Sequence, residues 1–198
     1  MRTVIFDWGG VVIDNPTPGF LAHFSGLCNV PEDTFAAFYA RHEFRFQTGA
    51  IREHELWIFA HRELGVPLPD AGTSRWKDAL RSVFKDKPEM IALIHDLKQQ
   101  SVFTMLLTNT EVPTREFYHE RQYPFDDAVF SCDEGLAKPD PEIYRRALAR
   151  HNTRPEDTAF IDDKPENVAS ANALGIHGIV CRSTEQVRNE LLQWMASS

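Results

Sequence analysis

Apolar and polar positions divide the chain into three rhythms. Val4-Ile5-Phe6 is a short apolar run that stops at Asp7 and loosens into Trp8-Gly9-Gly10. Its length and its bounding glycines predict a buried strand over residues 2–7. From about residue 16 to residue 86 no stretch reads as a strand, and apolar residues recur three and four apart. Phe35, Phe38 and Tyr39 share one helical face there. Leu56, Phe59, Ala60 and Leu64 share another, on a helix closed by Gly65 and Pro67.

From Lys87 onward the two rhythms alternate. Pro88 starts a helix with the apolar stripe Ile91, Ile94 and Leu97. Residues 101–107 (SVFTMLL) read as a buried strand ending at Thr108-Asn109, followed by a short helix over 114–120 and a strand over 128–130. Asp140-Pro141 is an N-cap followed by proline at the first helical position, for a helix reaching residue 150. A strand over 158–161 ends at Asp162-Asp163. The next helix runs to Leu174, with Gly175 and Ile176 placed for a Schellman stop. A last strand covers 179–181, and Ser183 with Gln186 forms a capping box for the terminal helix.

Strands separated by helices predict an α/β fold: a Rossmann-like parallel sheet with helices on both faces. The expected division is a core of residues 1–15 and 87–198, with residues 16–86 as a small all-helical cap. Ligands of such sheets bind at the carboxyl ends of the strands. Those ends carry Asp7, Thr108-Asn109 and Asp162-Asp163, and Lys138 follows the strand at 128–130. Singly, each has an ordinary reading: turn or cap for the acids and for Thr-Asn, a solvated surface charge for the lysine. At one sheet edge together, they make a candidate site.

Composition narrows the partners. With 42% apolar and 25% charged residues over 198 positions, the chain suits one soluble core with room for a smaller inserted unit. A net charge of −8 speaks against nucleic acid or an anionic membrane as the main partner, though a local pocket can still bind a small anion. Cys28, Cys132 and Cys181 are far apart and form no CxxC, which suits a reducing compartment rather than a disulfide framework or a zinc site. No secretory leader precedes the first strand and no apolar run has membrane-spanning length, so a cytoplasmic location is expected. His54-Glu55 fails the HExxH pattern because position 58 is Ile, and no GxGxxG is present.

The segments VIFDWGGVVID, TMLLTNT, LAKPDPEIY and FIDDKPENVASANALGI, in this order, resemble the haloacid dehalogenase superfamily. They are most similar to its phosphatases with a helical cap after the first strand, such as sugar-phosphate phosphatases and the phosphatase domain of soluble epoxide hydrolases. The resemblance implies a Mg²⁺-dependent phosphatase acting on a small phosphorylated metabolite, a sugar phosphate being favoured. Asp7 would attack phosphorus and form an aspartyl-phosphate. Mg²⁺ would be held by the Asp7 carboxylate, the Gly9 carbonyl and Asp163, with Asp162 acting through water. Lys138 would neutralise Asp7 and the phosphate. Thr108, Asn109 and the backbone N–H groups of Trp8-Gly9 would hold phosphate oxygens, and Asn167 would orient the acidic pair.

Gly9 departs from the pattern. Most phosphatases of the family carry at this place an aspartate that protonates the leaving oxygen, a role worth about 10²–10⁴-fold in rate. Either this subgroup works without it or another group substitutes, Asp14 or a cap residue being the candidates. Phosphonoacetaldehyde hydrolases also lack this aspartate, but they need a cap lysine where EFRFQTGAI offers arginine. Hydrolytic 2-haloacid dehalogenases lack it too, yet need no metal and have no use for Asp162-Asp163. A weakly active phosphate-binding protein is the remaining alternative. Trp8 is expected at the mouth of the site, and Arg45, Phe46 and Trp57 are the candidate substrate contacts.

Overall fold

The computed structural model describes residues 2–197. β1 (Thr3–Phe6) is followed, with no intervening strand, by α1 (Thr17–Cys28), α2 (Glu32–Gln47), α3 (Glu53–Leu64) and α4 (Arg75–Val83). The remainder alternates: α5 (Pro88–Gln99), β2 (Phe103–Thr108), α6 (Val112–His119), β3 (Asp127–Phe130), the single turn α7 (Ser131–Glu134), α8 (Pro141–Arg150), β4 (Thr158–Asp162), α9 (Pro165–Ala173), β5 (His177–Val180) and α10 (Thr184–Ala196). Expected boundaries agree within two residues. The expected stops are present as well. Asp140 caps α8 through Glu142 N, Ser183 and Gln186 form the capping box, and Gly175 sits at φ +84° beyond α9.

All strands are parallel, in the order β3-β2-β1-β4-β5. β1 is central, and its neighbours come from distant parts of the chain, Phe6 lying beside both Leu106 and Ile161. Alternate strand residues feed two apolar layers. Ile5, Met105, Leu107 and Phe160 pack under α8 and α9 with Ile143, Tyr144 and Ala171. Val4, Phe6, Leu106 and Ile161 face Leu93, Ile94, Leu97 and Leu191 of α5 and α10. Both faces are covered, which explains why the strands read as continuous apolar runs.

The four-helix segment leaves and rejoins the core at one place. Asp14 N donates to Lys85 O (2.9 Å) and Lys87 N donates to Val12 O (2.9 Å), so the two crossing strands of chain run side by side. Inside the segment, aromatic rings stack on Trp76, which meets Phe20 at 4.9 Å, Phe24 at 5.1 Å and Tyr39 at 5.4 Å. Among the described residues no helix is long and apolar enough to cross a membrane.

Candidate active site

Parallel strands with β1 at the centre bring Asp7, Thr108 and Asp162 to the same edge, since each ends or directly follows an adjacent strand. Asp7 is fixed by its backbone, Asp7 N donating to Ile161 O at 2.8 Å. Lys138 reaches in from the loop between α7 and α8. Its Nζ lies 2.8 Å from Asp7 Oδ1 and 2.6 Å from Asp162 Oδ2, with the lysine side chain 1% exposed. Burial pushes the Asp7 carboxyl up to about 6, against the lowering pull of the Lys138 ammonium, while Asp162 adds to the rise. Burial alone would lower Lys138. The two carboxylates outweigh it and hold the ammonium above its ordinary value.

Asp162 is fully committed. Besides Lys138 it accepts from Lys164 N at 2.8 Å and from Asn167 Nδ2, 3.0 Å from both oxygens. It is 0% exposed, and these bonds hold Lys138 and the turn into α9 in place. Asp163 differs. Its Oδ1 is buried with no hydrogen-bond partner, and burial followed by the Asp162 charge raises its pKa. An orphaned carboxylate oxygen beside two other carboxylates is costly unless a cation completes it. Ligand atoms of Asp7, Asp162 and Asp163 lie within 4.8 Å of one another, and hard oxygen donors of this kind fit Mg²⁺.

The two glycines after Trp8 have different reasons to be there. Gly10 has φ +80°, and a Cβ on it would lie 2.2 Å from Asp163 Oδ2. The Asp163 carboxylate occupies the space that glycine leaves, a requirement no local signal reveals. At Gly9 a Cβ would meet only Pro16 Cδ, at 3.4 Å, and φ is not in the left-handed region. No steric demand explains the missing side chain.

Several expected contacts fall elsewhere. Asn109 lines the cavity with its side chain engaged: Nδ2 donates to Lys138 O and Oδ1 accepts from Lys138 N, both at 2.8 Å. It positions the loop that carries the lysine. Thr108 is 3% exposed and lines the cavity. The Trp8 ring is not at the mouth. It is 2% exposed and packs on Phe84, Tyr118 and Tyr123, so only its backbone is left for an anion. Asp14 lies on the surface and pairs with Lys85 at 3.5 Å, which removes it as the substitute acid.

A cavity of about 350 Å³ opens between the strand ends and the helical segment, reaching from Asp7, Lys138 and Asp163 to Phe20, Tyr39 and Trp76. The three expected substrate contacts lie outside it. Phe46 is buried against Trp76, and Trp57 is buried with Nε1 donating to Glu53 at 3.0 Å. Arg45 is exposed with its guanidinium over Phe59. Their places are taken by Tyr39, Glu43 and Gln47, spaced i, i+4, i+8 on one face of α2, and by Glu111 after β2. That polar stripe was readable from the sequence; the inward turn of Glu111 was not.

The haloacid dehalogenase-like hydrolase family model matches residues 1–175. The chain is 33% identical over 96% of its length to acyl-CoA dehydrogenase family member 10 of Mus musculus, spanning only 19% of that longer protein. It is 29% identical to the sesquiterpene phosphatase AstK of Aspergillus oryzae, covering 90% of this chain and 88% of that one. A haloacid dehalogenase family enzyme of Bacteroides thetaiotaomicron, solved with magnesium and inorganic phosphate, superposes with a TM-score of 0.73 over 92% of this chain and 94% of that one at 21% identity. Fold, strand-end constellation and family model agree: the chain belongs to the haloacid dehalogenase-like hydrolases.

Proposed function

We propose that the protein is a Mg²⁺-dependent phosphomonoesterase that transfers the phosphoryl group of a small organic phosphate to Asp7 and then to water. The observation that carries this reading is Asp7, paired with buried Lys138 and clustered with Asp163, one of whose oxygens is buried and unpartnered. The magnesium and phosphate in the Bacteroides enzyme and the phosphatase activity named for the Aspergillus relative support it. Mg²⁺ would be held by Asp7, Asp163 and the Gly9 carbonyl, and when bound it supplies positive charge against the phosphate oxygens.

The protein's own groups do the rest. Lys138 cancels charge on Asp7 and draws the phosphate toward it, which a carboxylate nucleophile needs against an anion. The Thr108 hydroxyl and the N–H groups of the Trp8-Gly9 loop hold the non-bridging oxygens. Asp7 attacks phosphorus, the ester bond breaks, and water then cleaves the acyl-phosphate and restores Asp7. We take α1–α4 as a cap that closes over this chemistry, hinged where residues 12–14 and 85–87 run together. Its inner face is built from Phe20, Leu21, Phe24, Phe35 and Trp76, a lining that suits an alcohol with an apolar body better than a bare sugar.

2-Haloacid dehalogenases share the fold, so the fold alone does not choose between the reactions. Asp163 does. A metal-free dehalogenase has no use for a third, unpartnered carboxylate beside its nucleophile. The test is a screen of small phosphate monoesters, apolar and sugar-based, with Mg²⁺ and with EDTA. Mg²⁺-dependent phosphate release abolished by Asp7→Asn is the expected result. Halide release from 2-haloacids in EDTA would replace this reading with dehalogenation.

A further inference from the structure

With no side chain at position 9 and Asp14 at the surface, the leaving alcohol still needs a proton. Among the described residues, the carboxyl groups lining the cavity are Asp7, Asp163, Glu43 and Glu111. Asp7 and Asp163 have their own work. Glu43 accepts from Gln47 Nε2 at 3.1 Å on the same helix. Glu111 is 5% exposed and bridges the core to the helical segment.

Its two oxygens are not equivalent. Trp76 Nε1 donates to Thr114 Oγ1 at 2.9 Å, and the Thr114 hydroxyl therefore turns its own proton to Glu111 Oε2, 2.8 Å away. Oε2 is thus always an acceptor. A proton on Glu111 resides on Oε1, which lies 2.8 Å from the Tyr39 hydroxyl. When Oε1 carries that proton it donates to Tyr39, and the phenol proton is released to point elsewhere. Tyr39 lies on the α2 stripe that faces the same cavity as Asp7.

We propose that Tyr39 is the proton donor to the leaving group, recharged by Glu111, and that this pair replaces the acid missing at Gly9. This rests on the phosphatase reading above. As Asp7 attacks phosphorus, the electron pair of the breaking P–O bond goes to the leaving oxygen. That oxygen takes the Tyr39 proton while Tyr39 takes the Glu111 proton. In the second half the attacking water gives a proton to Tyr39, whose own proton returns to Glu111. The P–O bond to Asp7 then breaks, leaving a free carboxylate. The net reaction is ester plus water to alcohol plus phosphate, with Glu111 again protonated. Burial raises the Glu111 pKa, against the pull of its hydrogen bonds from Tyr39 and Thr114, and so favours its neutral form. This is the state from which the relay starts.

The test compares an alkyl phosphate, whose alkoxide must be protonated, with p-nitrophenyl phosphate, whose leaving group departs unaided. Glu111→Gln and Tyr39→Phe should each lower the ratio of alkyl to aryl kcat/KM by about tenfold or more, toward the range of lost acid catalysis. Circular dichroism and the thermal unfolding temperature report whether each variant is folded. Tyr39→Phe removes only a hydroxyl, and decides the matter alone if Glu111→Gln does not fold. A ratio unchanged in Tyr39→Phe overturns the proposal, whether both rates fall together or neither does. A wild-type protein that releases phosphate from neither ester with Mg²⁺ overturns the phosphatase reading itself, and this one with it.

Discussion

Metal and protons should compete for the same carboxylates, and stability reads the competition. In the metal-free fold the Asp7 carboxyl stands at about 6 against an ordinary 3.8. Its folded pKa is raised, so its contribution to stability is complete below pH 4 and is lost as pH rises through 6. Above that, the folded chain holds a buried carboxylate that the unfolded chain leaves in water. At about 1.4 kcal/mol per pH unit the loss is roughly 3 kcal/mol, and Asp163, also raised, adds in the same direction. Mg²⁺ binds only the ionised cluster and stabilises the fold by mass action. Asp7 protonation at pH 5, one unit below about 6, weakens Mg²⁺ binding about tenfold, and at pH 8 it does not compete, so the gain from millimolar Mg²⁺ should be larger at pH 8 than at pH 5 by at least about 1.4 kcal/mol. For a chain of this size that corresponds to roughly 3–6 °C in Tm. Thermal unfolding with Mg²⁺ or EDTA at pH 5, 6, 7 and 8 measures it. Asp163→Asn should abolish the gain. A gain equal at pH 5 and pH 8, or one that survives Asp163→Asn, would refute the reasoning.

Lys138→Met leaves Asp7 and Asp162 buried without their cation and should cost about 3–5 kcal/mol in urea unfolding at pH 8; a variant as stable as wild type would mean the pair is not desolvated. Gly10→Ala forces a left-handed alanine and pushes a Cβ onto Asp163, so it should lose about 1–2 kcal/mol and most of the Mg²⁺-dependent Tm gain; a full gain would show that the carboxylate can move aside. Gly9→Asp should fold, since its Cβ meets only Pro16, and should change the alkyl-to-aryl ratio less than threefold if the site already has its proton donor; a tenfold rise would show that it has none.

The strand ends were legible because local chemistry writes them. Apolar runs stop at Asp7, Thr108 and Asp162, and proline stands in the first turn of α5, α6, α8 and α9, so the parallel sheet and its polar edge follow from the pattern. Side-chain direction inside the helical segment did not follow. Phe46 of α2 packs on Trp76 and Trp57 of α3 packs on Phe24 of α1, so a buried ring such as these carries no sign of which surface it faces. Trp8 is a similar case, an aromatic residue beside the nucleophile that turns into the core under the loop. Asn109 sits in the expected place, but its two bonds to Lys138 join residues 29 positions apart, a pairing only the fold creates. Gly10 and Asp163 are related in the same way. Glu111, the N-cap of α6, carries no local sign of its contact with Tyr39, 72 positions away, which only the fold creates.

The central claim is phosphoryl transfer to Asp7, and the intermediate itself is the direct measurement. Protein mixed with an alkyl phosphate and Mg²⁺ in ¹⁸O-water is acid-quenched during turnover, digested, and examined by mass spectrometry. A phosphoryl group should appear on the peptide containing Asp7, depend on Mg²⁺ and vanish in Asp7→Asn. The released phosphate should carry the ¹⁸O, and the Asp7 carboxylate none. Turnover without a phosphorylated Asp7 peptide, or ¹⁸O in the Asp7 carboxylate, would contradict the claim.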